Sequence, residues 1–152
     1  MLTTVKIKSR DVNGKRTGGT TEIEWEEYTF KPKRDEKTGY IVSVAVVVVP
    51  EVKAQYWGAS ACSPEDSAFF DSDRGRALAL GRAKQTAVRD LTGQASRNAL
   101  VLGPVQPFDT RSTGKQLKQF ARATVRGVAD NAFAAFIAKE YKKLRKRQER
   151  GY

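Results

Sequence analysis

Apolar and charged residues alternate along the start of the chain. Val5 and Ile7 alternate with lysines, and Ile23 and Trp25 alternate with glutamates. Because successive side chains of a strand point to opposite faces, each segment has one apolar face and one charged face. The pattern predicts two antiparallel strands joined by a loop over residues 11–19, whose Asn-Gly and Gly-Gly pairs are typical of a hairpin turn.

Opposite charges favour one register of this hairpin. If Lys8 lies across from Glu22, then Lys6 lies across from Glu24, and both pairs fall on the solvent face. We therefore expect these four charges to stabilise the sheet and to have no part in binding.

The middle of the chain carries a long run of β-branched residues. A turn is predicted at residues 35–39, and the segment Tyr40–Val49 after it is apolar at almost every position. A run without alternation is typical of a central strand that is buried on both faces. Pro50 ends this strand or marks it as an edge strand, and residues 55–61 resume the alternation of a fourth strand.

Helical patterns follow the fourth strand. Ser63, Pro64 and the acids after them indicate a short helical turn, and Asp71 is placed to cap a helix that Gly93 would end. The apolar side of this helix consists mainly of small residues, and Gly81 and the alanines are expected to allow close approach to the sheet or to another helix. Its apolar positions are Ala77, Leu80, Ala83, Ala87, Val88 and Leu91.

The last third of the chain predicts a long helix from Ser112 to about Arg147, or two helices if Gly127 interrupts it and Asp130 caps the second. A short strand is expected before it at residues 99–102. The helical region has two apolar stripes, which the sheet or partner helices should cover. The first stripe is Leu117, Phe120, Ala121, Val125 and Val128, and the second is Phe133, Phe136, Ile137, Tyr141 and Leu144.

Together these elements predict an α+β fold. An antiparallel sheet of three to four strands forms the N-terminal half, with a packed helix and a long basic C-terminal helix or helix pair. We expect an α+β domain at residues 1–92 and a basic helical C-terminal extension at residues 93–152.

The net charge of +11 is concentrated towards the C-terminus. Residues 1–73 hold 10 Lys and Arg against 12 Asp and Glu, whereas residues 111–152 hold 12 against 3. Clustered cations attract phosphates and displace the counterions that condense on nucleic acid. The distribution favours a polyanionic partner, nucleic acid first, over a helix surface that is merely solubilising.

The sequence has no histidine and a single cysteine, Cys62. The common zinc sites and the Ser-His and Cys-His nucleophile pairs are therefore excluded, and we expect neither a cofactor nor an enzyme. One enzyme reading stays open, because Glu51-Val52-Lys53 after a valine-rich strand, with Asp35 upstream, resembles the acid-x-lysine element of metal-dependent nucleases. The N-terminus lacks the apolar core of a signal peptide and no apolar run is long enough to span a membrane, so we expect a cytoplasmic protein.

The strongest candidate site is the face of the C-terminal helix opposite its first apolar stripe. Four cations there follow i, i+3, i+7, i+11 spacing, and more crowd the final turns than the helix dipole requires. Aromatic residues do not interleave tightly with them, which indicates contact with the phosphate backbone rather than base reading. The candidates for nucleic-acid binding are Lys115, Lys118, Arg122 and Arg126, the terminal Lys139, Lys142, Lys143, Arg145, Lys146 and Arg147, and Lys15 and Arg16 of the hairpin loop.

A second candidate site begins at Cys62. This cysteine is followed by Asp and Phe residues and then by Gly-Arg-x-x-Ala-x-Gly-Arg at residues 75–82. The pattern, over about residues 55–85, resembles small proteins of phages and other mobile elements and overlaps the phage Thoeris anti-defence proteins, which sequester cyclic ADP-ribose-type signals. The resemblance implies a phosphate or nucleotide site at Arg74, Arg76 and Arg82. Arginines in the first turn of a helix are also unfavourable beside its positive dipole end, unless an anion or nearby aspartates balance them.

Three functions therefore stay open. The first is a non-enzymatic accessory protein of phage type that binds the backbone of DNA or RNA in the host cytoplasm. The second is an anti-defence sponge for cyclic nucleotides. The third is a regulator that uses its apolar C-terminal stripes to form a homo-oligomer or to bind a host enzyme.

Overall fold

The structure, a computed structural model, describes residues 2–10, 13, 15–94, 106–107 and 114–150. Its strands are β1 (Leu2–Arg10), β2 (Arg16–Thr29), β3 (Lys33–Arg34), β4 (Ile41–Val49), β5 (Ala54–Cys62) and β6 (Gln106–Pro107), and its helices are α1 (Ser72–Leu91) and α2 (Gly114–Glu149). Short 3-10 helices lie at Pro50–Val52 and Pro64–Phe69. The predicted α+β class is confirmed. The strand predicted at residues 99–102 lies outside the described residues.

The sheet is antiparallel and is built around β4. Within the described residues the strand order is β1-β2-β4-β5-β6. β5 pairs with β4 along its whole length. The opposite side of β4 is shared, because β2 pairs with residues 45–48 and β3 pairs with Ile41 and Val42.

The β4 strand is buried on both faces, as its valine run predicts. Eight of its nine residues are buried. Ala45 and Val47 pack in a cluster with α1, whereas Val44 packs in a cluster with α2. Each fully buried valine contributes about 1.5–3 kcal/mol, so covering both faces of this strand supplies much of the hydrophobic stabilisation of the fold.

The α1 helix packs closely on one face of the sheet. Ala79, Ala83 and Ala87, spaced four residues apart, have no exposed surface. The glycine that permits this approach is in the strand, since a Cβ at Gly58 would lie 2.4 Å from the backbone nitrogen of Ala83 and 2.6 Å from the carbonyl oxygen of Ala79. A Cβ at Gly81 would meet nothing within 4 Å among the described residues, so the role predicted for Gly81 is wrong, whereas that predicted for the alanines is confirmed. Ala77, predicted on the apolar side, is exposed.

The α2 helix is one continuous helix of 36 residues that passes through Gly127 without a break. Its first half covers the other face of the sheet with Leu117, Ala121, Val128 and Ala129, which are buried. Packing on both sides of Gly127 offsets the cost of about 1 kcal/mol that a glycine adds to a helix interior. The segment 93–152, expected as an extension, thus contributes half of α2 to the core.

The β1–β2 hairpin has a different register from the predicted one. Lys6 lies across from Glu22, and Lys8 lies across from Thr20. Arg10 pairs with Arg16, so the loop spans residues 11–15 instead of 11–19. The connection is four residues shorter than predicted, and an irregularity in the pairing between Lys8 and Arg10 takes up two of them, so the rest of the hairpin moves by two residues. A shift of two keeps every side chain on its predicted face, and Lys6 and Lys8 stay exposed.

The turn at residues 35–39 is fixed by the buried carboxylate of Asp35, which is 6% exposed. Asp35 Oδ2 accepts hydrogen bonds from the Thr38 hydroxyl at 2.7 Å and from the Thr38 backbone N–H at 3.0 Å. Arg126 of α2 lies 3.8 Å from Asp35 Oδ1, so this ion pair ties the turn to the helix. The hydroxyl bond is the largest of the effects that lower the pKa of Asp35 below its ordinary 3.8.

Replacing Gly58 by alanine should destabilise the protein strongly. The new methyl group meets backbone atoms of α1 that cannot move aside, so we expect Gly58→Ala to lower the free energy of unfolding by at least about 3 kcal/mol. Gly81→Ala is the matched control and should raise it by about 0.5–1 kcal/mol, because that glycine is exposed within a helix. Urea denaturation of both variants measures the difference, and equal effects would contradict the packing described.

Acid should destabilise the protein partly through Asp35. Because its folded pKa is lowered, the ionised group stabilises the fold above about pH 4, and this contribution is lost as the pH falls through the folded pKa. The free energy of unfolding should therefore fall less between about pH 6 and pH 3 in Asp35→Asn than in the wild-type chain. Glu36→Gln, at an exposed neighbouring position, is the control, and an unchanged pH dependence in Asp35→Asn would contradict the assignment.

Candidate nucleic-acid interface

A groove of about 410 Å³ lies between the first half of α2 and the segment from Thr29 to Lys33. Its floor is apolar and includes Val42 and Val44 of β4. One wall comes from the end of β2 and the segment after it, and the other wall comes from the first half of α2. The lining residues are Thr29, Phe30, Lys31, Lys33, Val42, Val44, Lys118, Ala121, Arg122 and Val125.

The groove forms where the sheet ladder is interrupted between β2 and β3. Thr29 pairs with Ala45 and Lys33 pairs with Val42, so three residues on this side oppose two on β4. Pro32 stands in the gap and has no N–H to donate to the ladder. An extra residue of this kind bends a strand away from its partner. The bend leaves the side chains of Val42 and Val44 as the floor of the groove.

Four cations, two from each wall, surround the groove. Lys31 and Lys33 are exposed on the strand side, and Lys118 and Arg122 are exposed on the helix side. Among the described residues, none of the four forms a salt bridge with a carboxylate. Their charges are therefore available to an anion, and Arg122 can hold a phosphate through two N–H groups.

Phe30 gives the groove an aromatic side chain. It is half-buried and packs against the apolar clusters of both β4 and α2. Cations beside an apolar and aromatic floor suit a ligand that has both phosphates and planar rings.

Arg126 differs from the other cations predicted along α2. Besides Asp35, it contacts Asp130 Oδ2 at 3.5 Å, one helical turn further on. Two carboxylates thus balance its charge, although the side chain is 54% exposed. Lys115 lies in the first turn of α2, and its side chain is outside the described part of the structure.

The terminal cations lie on the second half of α2, beyond the sheet. All six predicted positions between Lys139 and Arg147 are exposed. Lys143 pairs with Glu140 at 3.5 Å. Lys15 and Arg16 lie at the hairpin end of β2, and the groove lies at its other end. Because β2 has 14 residues, about 40 Å separates these two groups, and they do not share a site with the groove.

Arg74, Arg76 and Arg82 belong to α1, on the opposite face of the sheet from the groove. Asp71 already caps this helix, since its Oδ1 accepts the backbone N–H of Asp73 at 3.0 Å and of Arg74 at 3.3 Å. Arg82 donates to the carbonyl oxygen of Ala59 at 2.8 Å and thereby links α1 to β5. The Nε of Arg76 is buried without a hydrogen-bond acceptor among the described residues.

The residues of the metal-dependent nuclease hypothesis do not lie close together. Asp35 precedes β4 and Glu51 follows it, so the two carboxylates are about 30 Å apart along a nine-residue strand. Within the described ranges, no three His, Cys, Asp or Glu side chains are close enough together to hold a metal ion.

Lys31 and Lys33 were not predicted from the sequence. The signal is the run Lys-Pro-Lys-Arg at residues 31–34, where three cations flank a proline. The charge count over residues 1–73 does not reveal this run, because the glutamates of β2 balance its positive charges. The proximity of this run to Lys118 and Arg122 depends on how α2 crosses the sheet, which the sequence pattern does not give.

Comparisons with known proteins add no family to this description. No protein-family model matches the chain, and searches of curated proteins and of solved structures found no significant match. No helix in the described part of the chain is long and apolar enough to cross a membrane.

Proposed function

We propose that the protein binds nucleic acid without catalysis, mainly through the phosphate backbone, and that the groove between β3 and α2 is the principal contact. The observation that carries the proposal is the set of four exposed cations, Lys31, Lys33, Lys118 and Arg122, with no carboxylate partner among the described residues. Unpaired cations on two facing walls attract successive phosphates.

The apolar floor favours a strand whose bases or sugars can enter the groove. Phe30 is half-buried and offers surface to a planar ring, whereas Val42 and Val44 are almost fully buried and only shape the floor. The cations further along α2 extend the positive surface, since a helix of 36 residues is about 54 Å long. Single-stranded DNA, duplex DNA and RNA are therefore the three ligands to compare.

Removing two lysines from the groove should weaken binding. For Lys31→Gln/Lys33→Gln we expect affinity to fall by about ten-fold, and the slope of log affinity against log salt to flatten by roughly 1.5–2. Lys118→Gln/Arg122→Gln, on the opposite wall, should lower the affinity and flatten the salt slope by similar amounts. Fluorescence anisotropy with labelled oligonucleotides over a salt series measures both quantities.

The matched control is Lys6→Gln/Lys8→Gln, which removes two lysines at the same spacing from another part of the same sheet. Their exposed positions on β1 lie outside the groove, so affinity should change by less than about two-fold, a change that long-range electrostatics explains. A wild-type salt slope near zero, or an equal loss of affinity in this control, would refute the proposal.

A second candidate function is the capture of a small cyclic nucleotide at Arg74 and Arg76. The buried Nε of Arg76, which has no acceptor in the described part of the chain, favours it, together with the resemblance to anti-defence proteins. The cap supplied by Asp71 opposes it, because a bound phosphate would compete with that carboxylate. Calorimetry with a cyclic ADP-ribose-type ligand separates the two functions, since Arg74→Gln/Arg76→Gln should abolish this binding and leave oligonucleotide binding intact.

A further inference from the structure

The second half of α2 carries an apolar stripe that none of the described residues covers. Its five large side chains have exposures from 37% for Phe136 to 65% for Tyr141. The first stripe of the same helix is buried on the sheet, so the expectation that both stripes are covered holds for only one of them within the described structure. The distal stripe is Phe133, Phe136, Ile137, Tyr141 and Leu144.

The distal stripe lies on one side of the helix. Phe133, Ile137, Tyr141 and Leu144 follow i, i+4, i+8, i+11 spacing, which places them along one face, and Phe136 lies beside Phe133 and Ile137. Lysines occupy the opposite face. They are Lys139, Lys142 and Lys146, whereas Lys143 lies beside Phe136 and pairs with Glu140 at 3.5 Å; all four lysines are exposed.

The area of the stripe is large for a monomer. Five aromatic and aliphatic side chains, about half exposed, present roughly 500 Å² of apolar surface, near the upper limit for a soluble monomer. Two such stripes packed together remove about 1,000 Å² from water, which reaches the size of a specific interface. In a dimer, the distal stripe of one copy therefore covers the distal stripe of the other.

We propose that a second copy of this chain covers the distal stripe, with the two α2 helices antiparallel. Charge placement supports a second copy, because Lys139, Lys142 and Lys146 lie on the far side of each helix, where they repel least across the contact. Charge also selects the direction. A parallel pair places Arg145 and Arg147 beside the same residues of the second copy, whereas an antiparallel pair separates them.

One antiparallel register pairs four of the five apolar positions with one another and leaves Ile137 across from Glu140 of the second copy. It places Phe133 across from Leu144 and Phe136 across from Tyr141 of the second copy. In the same register Arg147 lies across from Asp130, so opposite charges meet at each end of the contact. The sheets of the two copies then lie at opposite ends of the helix pair, so their cores do not collide.

Sedimentation velocity without nucleic acid tests the dimer independently of the proposed function. The wild-type chain should sediment as a dimer at about 100 µM, because an interface of about 1,000 Å² lies at the low end of the specific range and is expected to form a weak dimer. Ile137→Glu should be monomeric there, because it introduces a charge into the apolar contact. Ala135→Glu is the matched control, since it makes the same change on the lysine face, and it should remain dimeric. Circular dichroism verifies that all three chains fold.

Spin labels test the direction of the helices in a Cys62→Ser background. Labels on Lys139, near the centre of the register, should have almost no separation along the axis, whereas labels on Arg150 should be separated by about 35 Å along the axis. Short distances at both positions would overturn the antiparallel arrangement.

A wild-type monomer at about 100 µM, or a dimer that survives Ile137→Glu, would overturn self-association. Binding of the monomer to an acidic protein or to anionic vesicles would then identify the other occupant.

Discussion

The burial of β4 on both faces is the constraint on which the structure depends. A strand that presents valine and alanine to both sides is stable only if each face is covered. α1 covers one face through small residues, and the first half of α2 covers the other with Leu117, Ala121 and Val128. The two helices therefore lie on opposite sides of one sheet, which places the arginines of α1 and the cations of α2 on different surfaces.

The groove follows from this arrangement and from one proline. β2 and β3 share an edge of β4, and the ladder breaks between them at Pro32. Because α2 crosses the same region, its Lys118 and Arg122 face the lysines that flank the proline across an apolar floor. Other cations have structural partners, as Arg126 shows in its contacts with Asp35 and Asp130. Net charge alone therefore does not locate a binding site.

The sequence predicts local features well and long-range ones poorly. The valine run, the turn at residues 35–39 and the α1 cap at Asp71 arise from neighbouring residues and were predicted correctly. The hairpin register depends on loop length, and the close approach of α1 depends on Gly58, which is 21 residues from the nearer of its contacts. Of the groove, only the helix wall was predicted, because the two walls are about 90 residues apart in the chain.

Mapping of backbone amide shifts by NMR tests the central claim most directly. The labelled protein is titrated with a short single-stranded oligonucleotide at low salt, where phosphate contacts are strongest. The largest shifts should fall on residues 30–33 and 118–125, on the two walls of the groove. Shifts confined to residues 71–76, or to the hairpin end of β2, would contradict the account.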